Sequence, residues 1–199
     1  MEKKQRIISI CGNIGSGKST LIHILKNSQN KYNVVEEPLS EMSDLLQKFY
    51  NNISKWAFHL QCKVLLLYSS IYKKAKTTQD NYIIERSPTE SKHIFCKALT
   101  ESNLLTSLEC SLYNEFYDEL SWEPDCFLYI KTPPDVCFER IKLRNRDCEK
   151  NMSIEYICQL NKLYIEYFEK NKSQKQIFII DGSLDIDSIH KQCIQLLNL

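Results

Sequence analysis

The stretch Gly12-Asn13-Ile14-Gly15-Ser16-Gly17-Lys18-Ser19-Thr20 has the spacing G-x-x-x-x-G-K-[ST] of a phosphate-binding P-loop. It follows a short apolar run, Arg6–Cys11, which predicts a buried strand, and it leads into apolar residues at helical spacing within Ser19–Lys26. Glycine lets the backbone N–H groups turn toward a phosphate, and the start of the following helix adds partial positive charge. The sequence therefore predicts that residues 12–20 bind the phosphates of a nucleoside triphosphate.

Two side chains of this stretch carry specific chemistry. The Lys18 ammonium is expected to reach the β- and γ-phosphates, and the Ser19 hydroxyl is expected to bind Mg²⁺. The alternative is a glycine-rich turn without a ligand. The whole chain has four glycines, and three of them fall in this stretch, so phosphate binding is favoured.

Short β-rich runs alternate with longer stretches of helical spacing. The runs are Arg6–Cys11, Asn33–Glu36, Tyr82–Glu85, Cys126–Ile130 and Gln176–Ile180. The helical stretches are Ser19–Lys26, Ser54–Lys74, Thr106–Leu120, Asp135–Arg144, Ile154–Lys170 and Asp185–Leu197. This alternation predicts an α/β fold, a five-stranded parallel sheet with helices on both faces. No repeat or Pro/Gly linker divides the chain, so residues 1–199 are expected to form one domain.

Composition excludes several classes of protein. Lys and Arg number 26 and Asp and Glu 25, for a net charge of +1, which argues against broad binding to nucleic acid or to a membrane surface. No apolar run approaches the length of a membrane span, and no signal or transit peptide is expected before the first strand. The nine cysteines never form C-x-x-C or a zinc-ligand spacing. They are expected to be buried or idle thiols in a reducing, cytoplasmic compartment.

Polar residues follow three of the predicted strands, where ligands of parallel sheets bind. They are Glu36-Glu37-Pro38, Glu85-Arg86-Ser87 and Asp181-Gly182. The Glu37 carboxylate is a candidate general base for a hydroxyl that attacks the γ-phosphorus. Glu85 is a candidate metal ligand, and Arg86 a candidate contact to the acceptor oxygen. The alternatives are an ordinary surface glutamate and a surface ion pair at a strand end.

Basic residues crowd the segment 139–146, where Arg140 and Arg144 are i,i+4 neighbours on a predicted helix. Such a pair repels by about 0.2–0.5 kcal/mol, which predicts an anion between the two guanidinium groups. Arg146 extends the cluster, and arginines that close on a γ-phosphate supply large rate gains. The alternative is a solvated basic face.

Gln61 follows Trp56 and Phe58 at the start of a long apolar helix. A glutamine amide offers a donor and an acceptor side by side, which matches one edge of a pyrimidine base. The alternative is a glutamine on the helix surface.

Taken together, these segments resemble the deoxyribonucleoside kinases of the deoxycytidine kinase, mitochondrial thymidine kinase and insect multisubstrate kinase group. The resemblance covers nearly the whole chain and rests on E-P, W-x-F-x-x-Q, E-R-S and R-x-x-x-R-x-R-x-x-E, in that order. It implies a P-loop kinase fold with an arginine-rich lid at about 140–150 and an adenine loop at about 181–186. It also implies ATP and Mg²⁺ as cofactors, a deoxyribonucleoside as the substrate in nucleotide salvage, and a homodimer.

The same resemblance implies a role for each matching position. The catalytic positions are Lys18, Glu37 as general base, Arg86, Arg140, Arg144 and Arg146. Gly182 and Asp185 join the P-loop at the ATP, and Ser19 and Glu85 hold the metal. The nucleoside positions are Glu37, Met42, Tyr50, Leu60, Gln61, Val64, Tyr68, Arg86, Ser91, Phe95 and Glu149. Among these, Tyr50 and Glu149 are implied at the 3′-hydroxyl and Phe95 against the base.

The chain departs from the family pattern at a few positions. Met42 stands where the family usually has a tryptophan, and Cys148 replaces an acidic residue of the lid. Tyr68 and Ser91 replace the Arg and Asp of the deoxycytidine and purine enzymes, which argues against a purine substrate. Val64 offers a wall for a 5-methyl group, so thymidine is favoured. Deoxycytidine stays open, because the glutamine amide can flip to suit either base.

Two other readings remain open at this stage. A nucleoside monophosphate kinase of the same fold would need further basic residues for the phosphate of its acceptor. A P-loop module that uses nucleotide to control a partner would need neither a base-reading glutamine nor a carboxylate at Glu37. For the homodimer, the apolar helix around Leu65–Ile71 is a candidate contact, although core packing explains it equally well.

Overall fold

A computed structural model describes residues 5–28 and 31–199; residues 1–4, where no leader is expected, lie outside this range. The strands are β1 (Ile7–Cys11), β2 (Tyr32–Val35), β3 (Asn81–Glu85), β4 (Cys126–Lys131) and β5 (Ile177–Asp181). They pair in parallel in the order β2-β3-β1-β4-β5. The predicted parallel sheet is confirmed, and each strand begins and ends within one residue of its expected position.

Helices cover both faces of this sheet, as predicted. The longer ones are α1 (Lys18–Asn27), α2 (Ser43–Asn51), α3 (Ile53–Thr78), α6 (Ser107–Leu120), α7 (Pro134–Arg144), α8 (Ile154–Asn171) and α9 (Ile186–Leu197). Because side chains alternate along a strand, Ile8 and Ile10 of β1 pack with α1 and α9, whereas Cys11 packs with α8. None of the helices in residues 5–28 and 31–199 combines the length and apolar character that a membrane span requires.

Two helical segments were not expected from the sequence. One is α2, and the other is the run 88–101, which consists of α4 (Pro88–Glu90), a π-helical turn (Ser91–Cys96) and α5 (Lys97–Glu101). Both lie at the edge of the sheet formed by the carboxyl ends of the strands. They contribute Leu46, Phe49 and Tyr50 from α2, and Ser91 and Phe95 from the run 88–101, to the wall of the site described below. Their place in the fold therefore decides which side chains face a ligand.

The strand order puts the carboxyl end of β1 between those of β3 and β4. The chain leaves β1 through the predicted P-loop, where Gly12, Gly15 and Gly17 have φ values of 151°, 79° and 100°. A Cβ atom at Gly15 would collide with the carbonyl oxygen of Cys137, so only glycine permits this close contact with α7. Helix α1 begins directly afterwards at Lys18, which is the arrangement that the motif predicts.

Candidate active site

One cavity of about 450 Å³ runs along the carboxyl ends of the strands, from the P-loop to α2 and α3. Every nucleoside position implied above lines it, as do Lys18, Ser19, Thr20, Glu85 and the three lid arginines. The implied positions that do not belong to its lining are Gly12, Asn13, Ser16, Gly182 and Asp185. The structure therefore brings the separate sequence motifs together around one space.

The P-loop holds Lys18 in a buried position. Its side chain is 4% exposed, and the ammonium donates to the carbonyl oxygen of Asn13 at 2.7 Å. The Asn13 amide in turn donates to the Ile157 carbonyl at 2.9 Å, which ties the loop to α8. Burial, followed by the nearby charge of Arg86, lowers the pKa of Lys18 to about 8. The carboxylates of Glu85, Glu37 and Glu90 act in the opposite direction, and an anionic ligand in this loop would add to their effect.

Ser19 and Glu85 lie side by side at the base of the cavity. The Ser19 hydroxyl donates to Glu85 Oε1 at 2.7 Å, and the backbone N–H of Glu37 reaches the other oxygen, Oε2, at 3.3 Å. A hydroxyl next to a carboxylate fits Mg²⁺, which is commonly bound through one or two carboxylates together with substrate phosphates. Ser19 and Glu85 are therefore the residues that would hold this ion beside the P-loop.

Arg86 is the central cation of the site. It follows β3 directly and has a φ of 65°, a left-handed conformation that a residue with a side chain adopts only where its surroundings impose it. Its Nε donates to Glu37 Oε2 at 3.2 Å and its Nη1 to the Gly12 carbonyl at 3.1 Å. The guanidinium carbon lies 4.8 Å from the centre of the Phe95 ring. Arg86 thus connects the candidate base, the P-loop and the expected base-stacking ring.

Glu90 and Tyr164 hold the Arg86 guanidinium in place, and neither residue was predicted from the sequence. Nη1 of Arg86 lies 3.1 Å from Glu90 Oε1 and 2.8 Å from the Tyr164 hydroxyl, which donates to the same Glu90 oxygen at 2.6 Å. Burial raises the pKa of Glu90, which is 2% exposed. The i,i+4 spacing of an arginine and a glutamate was the one signal of this contact in the sequence. Nothing local pointed to Tyr164, which lies 74 residues farther along the chain.

The arginines of the expected lid have separate partners. Arg140 donates through Nη1 to the Gly182 carbonyl at 2.9 Å, whereas Arg144 forms two hydrogen bonds to Glu149, at 2.8 and 2.6 Å. Arg146 lies 3.7 Å from the same carboxylate. The two guanidinium groups therefore have different protein partners, a backbone carbonyl for Arg140 and a carboxylate for Arg144. Helix α7 ends where Asn145 adopts a φ of 46°, and the chain then returns Glu149 to Arg144.

Tyr50 lies near Glu149, as the resemblance implied. Helix α2, which carries Tyr50, packs against the short helical turn Asp147–Glu149. Burial raises the pKa of Tyr50, and Tyr156 and Glu149 add to the effect. The carboxylate expected at a sugar hydroxyl thus meets Arg144 and lies close to Tyr50 at the same time.

At the far end of the cavity, Gln61 is 5% exposed and its Oε1 accepts a hydrogen bond from the Ser91 hydroxyl at 3.0 Å. Tyr68 is turned toward the sheet, and its hydroxyl donates to the Glu85 carbonyl at 2.9 Å. Met42 and Val64 contribute apolar wall. Gln61 is therefore a buried polar group in a mainly apolar pocket. The alternative, a glutamine on the helix surface, is wrong.

The expected adenine loop lies near the P-loop, since Arg140 donates to the carbonyl oxygens of both Gly182 and Ser16. The Asp185 carboxylate caps α9, accepting from the Ser188 N–H at 2.9 Å, which is a common role at a helix start. Leu184, Ile186 and Ile189 line the cavity in its place. This end of the site therefore offers an apolar surface, suited to the face of a purine ring.

Comparison with known proteins gives a consistent result. The family model for deoxynucleoside kinases matches residues 8–198. A deoxyadenosine kinase of Dictyostelium discoideum is 36% identical over 190 residues, 90% of this chain and 74% of that protein. A fowlpox virus protein described as a probable deoxycytidine kinase is 34% identical over 203 residues, 96% of this chain and 86% of that protein.

Solved structures agree. The deoxyadenosine kinase of M. mycoides, solved with dCMP and a flexible dCDP, superimposes with a TM-score of 0.86 at 28% identity, over 96% of this chain and 98% of that one. The family model spans both the P-loop and the end of the cavity that contains Gln61. The chain belongs to the deoxynucleoside kinase family.

Proposed function

We propose that this protein transfers the γ-phosphate of ATP to the 5′-hydroxyl of a pyrimidine deoxyribonucleoside, with thymidine as the preferred substrate and Mg²⁺ as the cofactor. The observation that carries the proposal is the continuous cavity. Lys18 and Ser19 lie at one end, Gln61 at the other, and the Glu37–Arg86 pair lies between them. A phosphate donor and a base-reading group thus flank a carboxylate, which is the order that a kinase for a nucleoside hydroxyl requires.

The chemistry follows from this order. The Glu37 carboxylate takes the proton of the 5′-hydroxyl as the oxygen bonds to the γ-phosphorus, and the bond from that phosphorus to the β-phosphate oxygen breaks to release ADP. Arg86, fixed by Glu37 on one side and Glu90 on the other, stabilises the charge that develops on the transferred group. Mg²⁺, when bound, supplies positive charge to the β- and γ-phosphates.

The preference for a pyrimidine rests on the shape and polarity of the base end. Tyr68 is held in place by its hydrogen bond to the Glu85 carbonyl, so its ring forms a fixed wall. Gln61 provides one amide, which suits the edge of a pyrimidine, and Val64 provides an apolar contact for a 5-methyl group worth about 0.8 kcal/mol. A purine would carry its second ring toward this wall.

Activity on a nucleoside monophosphate is disfavoured by the charges of the cavity. The cavity lining contains Lys18, Arg86 and the three lid arginines, which the proposal already uses for the ATP phosphates and the transferred group, whereas the phosphate of an acceptor would need further cations. A purely regulatory P-loop module is disfavoured because the Glu37–Arg86 pair and the buried Gln61 would then have no purpose.

A substrate panel tests the proposal. With ATP and Mg²⁺, we expect the highest kcat/KM for thymidine, lower values for deoxycytidine and deoxyuridine, and the lowest for deoxyadenosine and deoxyguanosine. A higher value for either purine would overturn the pyrimidine preference. Faster ADP formation with thymidine monophosphate than with every nucleoside would favour the monophosphate kinase, and no ADP formation with any acceptor would favour the regulatory module.

Two variants locate the base-reading contact. Gln61→Ala should lower kcat/KM for thymidine by roughly 5- to 150-fold, since a desolvated hydrogen-bonding group of the base loses its partner. Gln47→Ala removes an exposed glutamine of α2 and should leave kcat/KM unchanged. Equal effects of the two substitutions would show that Gln61 does not read the base.

We also propose that the protein forms a homodimer through α3 and α6, which pack against each other. Apolar side chains on these helices are exposed, with Leu66 at 53%, Leu108 at 78% and Phe116 at 39%, and a dimer would cover them. Light scattering should give twice the mass of the chain. The double variant Leu66→Glu/Leu108→Glu should give a monomer, whereas Leu143→Glu, at a solvent-facing leucine of α7, should not. A monomeric wild type would refute the dimer.

A cytoplasmic location is part of the same proposal. All nine cysteines are free thiols, and five of them are buried, as expected for a reducing compartment. Fractionation of producing cells with an antibody should find the protein with the cytoplasmic markers, and recovery with an organelle or an extracellular fraction would contradict the assignment.

A further inference from the structure

Three buried side chains from different helical elements form a hydrogen-bonded row behind the base end of the cavity. Gln61 lies on α3, Ser91 begins the π-helical turn, and Tyr113 lies on α6. The Ser91 oxygen is 3.0 Å from Gln61 Oε1 and 2.8 Å from the Tyr113 hydroxyl. Their exposures are 5%, 3% and 1%, so water does not compete for these contacts. We call this row the Tyr113–Ser91–Gln61 relay.

The number of protons on the three side chains determines which group of the relay donates each hydrogen bond. In the described part of the chain, Ser91 is the hydrogen-bond partner of the Tyr113 hydroxyl, and burial raises the pKa of Tyr113, so that it keeps its proton. A buried O–H without an acceptor is strongly disfavoured, so Tyr113 donates to Ser91. A serine hydroxyl has one proton, and Ser91 therefore donates to Gln61. The amide of Gln61 must then turn its oxygen, not its nitrogen, toward Ser91.

A fixed orientation of the Gln61 amide determines which base edge it can pair with. Thymine presents an N3–H donor next to the O4 acceptor, whereas cytosine presents the N3 acceptor next to the N4 donor group. A glutamine serves these two edges equally well only if its amide is free to flip. In this protein a flip would turn the amide N–H of Gln61 toward Ser91. The Ser91 oxygen could accept from both Gln61 and Tyr113, but the Ser91 proton would then lose its acceptor, Gln61 Oε1.

We propose that Tyr113 and Ser91 lock the Gln61 amide in one orientation and thereby make the pocket select between thymidine and deoxycytidine. The inference deepens the proposed function and rests on it. Tyr113 does not line the cavity, so it is a positioning residue that acts through Ser91. The locked orientation separates kcat/KM for the two nucleosides by roughly 5- to 150-fold, the value of a buried hydrogen bond that is left unmade.

The test compares the ratio of kcat/KM for thymidine to that for deoxycytidine in four proteins. Tyr113→Phe removes one hydroxyl and leaves the ring in the core, and Ser91→Ala removes the link itself. Tyr117→Phe is the matched control, since Tyr117 is buried on the same helix and is not bonded to Ser91. A merely structural defect lowers kcat/KM for both nucleosides alike, so the ratio reports the amide.

We expect the wild-type ratio to be far from one. Tyr113→Phe and Ser91→Ala should each move the ratio toward one by 5- to 150-fold, whereas Tyr117→Phe should leave the wild-type ratio unchanged. KM for ATP should stay within about twofold throughout. The inference is overturned by a wild-type ratio near one, by a ratio that Tyr113→Phe leaves unchanged, or by an equal change in Tyr117→Phe.

Failure of the proposed function has a different signature. A wild-type protein that phosphorylates neither pyrimidine nucleoside removes the proposed function, and the inference with it. A wild type that prefers deoxycytidine, with a ratio that collapses in Tyr113→Phe and Ser91→Ala, supports the relay and refutes only the preference for thymidine.

Discussion

Replacing Lys18 with methionine is expected to abolish phosphoryl transfer and, at the same time, to stabilise the unliganded protein. Transfer is lost because the charge that meets the β- and γ-phosphates is removed. The gain in stability comes from the cost of burial. Lys18 is 4% exposed, and burial together with Arg86 lowers its pKa from 10.5 to about 8. Methionine is unbranched and flexible enough to fill the same channel.

The size and sign of the effect follow from this pKa difference. The folded protein binds the Lys18 proton less tightly than the unfolded chain, so the charged Lys18 lowers the free energy of unfolding, and it does so by the full amount at every pH below about 8. The penalty shrinks as the pH rises from 8 and vanishes near 10.5, where the unfolded chain loses the proton as well. A difference of about 2.5 pKa units corresponds to a penalty of about 3 kcal/mol at neutral pH.

Urea unfolding without nucleotide tests the argument at two pH values. At pH 7, Lys18→Met should be more stable than wild type by about 3 kcal/mol, and at pH 9.5 by about 1 kcal/mol. Lys26→Met is the control, because Lys26 lies on the same helix in an exposed ion pair with Glu36 and should change stability by less than about 1 kcal/mol. A Lys18→Met protein that is less stable at pH 7, or whose advantage does not fall at pH 9.5, would refute the reasoning.

Three further substitutions probe the centre of the site. Glu37→Gln should lower kcat by roughly 10²- to 10⁴-fold with a much smaller change in the nucleoside KM; a change confined to KM in steady-state kinetics would show that Glu37 binds the substrate without acting as the base. Arg144→Ala should lower kcat and change KM for ATP much less, because lid charges act most on the transition state. Normal turnover of this variant would show that Arg144 contacts Glu149 without contributing to catalysis. Tyr164→Phe should lower the free energy of unfolding by about 1–3 kcal/mol, because Glu90 loses its shortest hydrogen bond; urea unfolding at the wild-type midpoint would contradict this.

The sheet was predictable because its strands carry strong local signals. The residues Ile7–Cys11 form an apolar, β-branched run and are all buried at the centre of the sheet, and the glycines that follow fix the turn into α1. Helix α3 was expected to end at Lys74 and continues to Thr78, where Gln79 adopts a φ of 56°. Nothing in a polar helix end marks its last residue, so such boundaries are set by packing and by the local turn.

The run 88–101 shows what local patterns cannot reveal. Its first turns contain Thr89, Glu90 and Ser91, polar residues that are typical of a loop, yet each is at most 3% exposed. They are buried because their partners come from elsewhere in the chain, among them Tyr164 for Glu90 and Tyr113 for Ser91. Sequence separations of 74 and 22 residues place these contacts beyond any spacing rule.

The site itself was predictable to the extent that its residues follow strands. Glu37 stands two residues after β2 and Arg86 directly after β3, and these adjacent strand ends bring the two side chains to 3.2 Å. The lid was harder, because the partner of each arginine depends on how the chain turns after Asn145. Repulsion between Arg140 and Arg144 predicted an anion between the two side chains, and it could not specify that one would bond to a backbone carbonyl and the other to Glu149.

The features that lower the stability of this fold are concentrated at the site. The buried charge of Lys18 is one of them. The described residues also contain four buried side-chain atoms without a hydrogen-bond partner, and three of these, Ser87 Oγ, Thr89 Oγ1 and Glu90 Oε2, lie shortly after β3. Buried polar atoms of this kind are unfavourable, and functional sites are where natural proteins retain them. Arg86, in its left-handed conformation, lies in the same segment. A ligand that meets Lys18 and Arg86 relieves part of this cost, so binding and folding are linked through the same few residues.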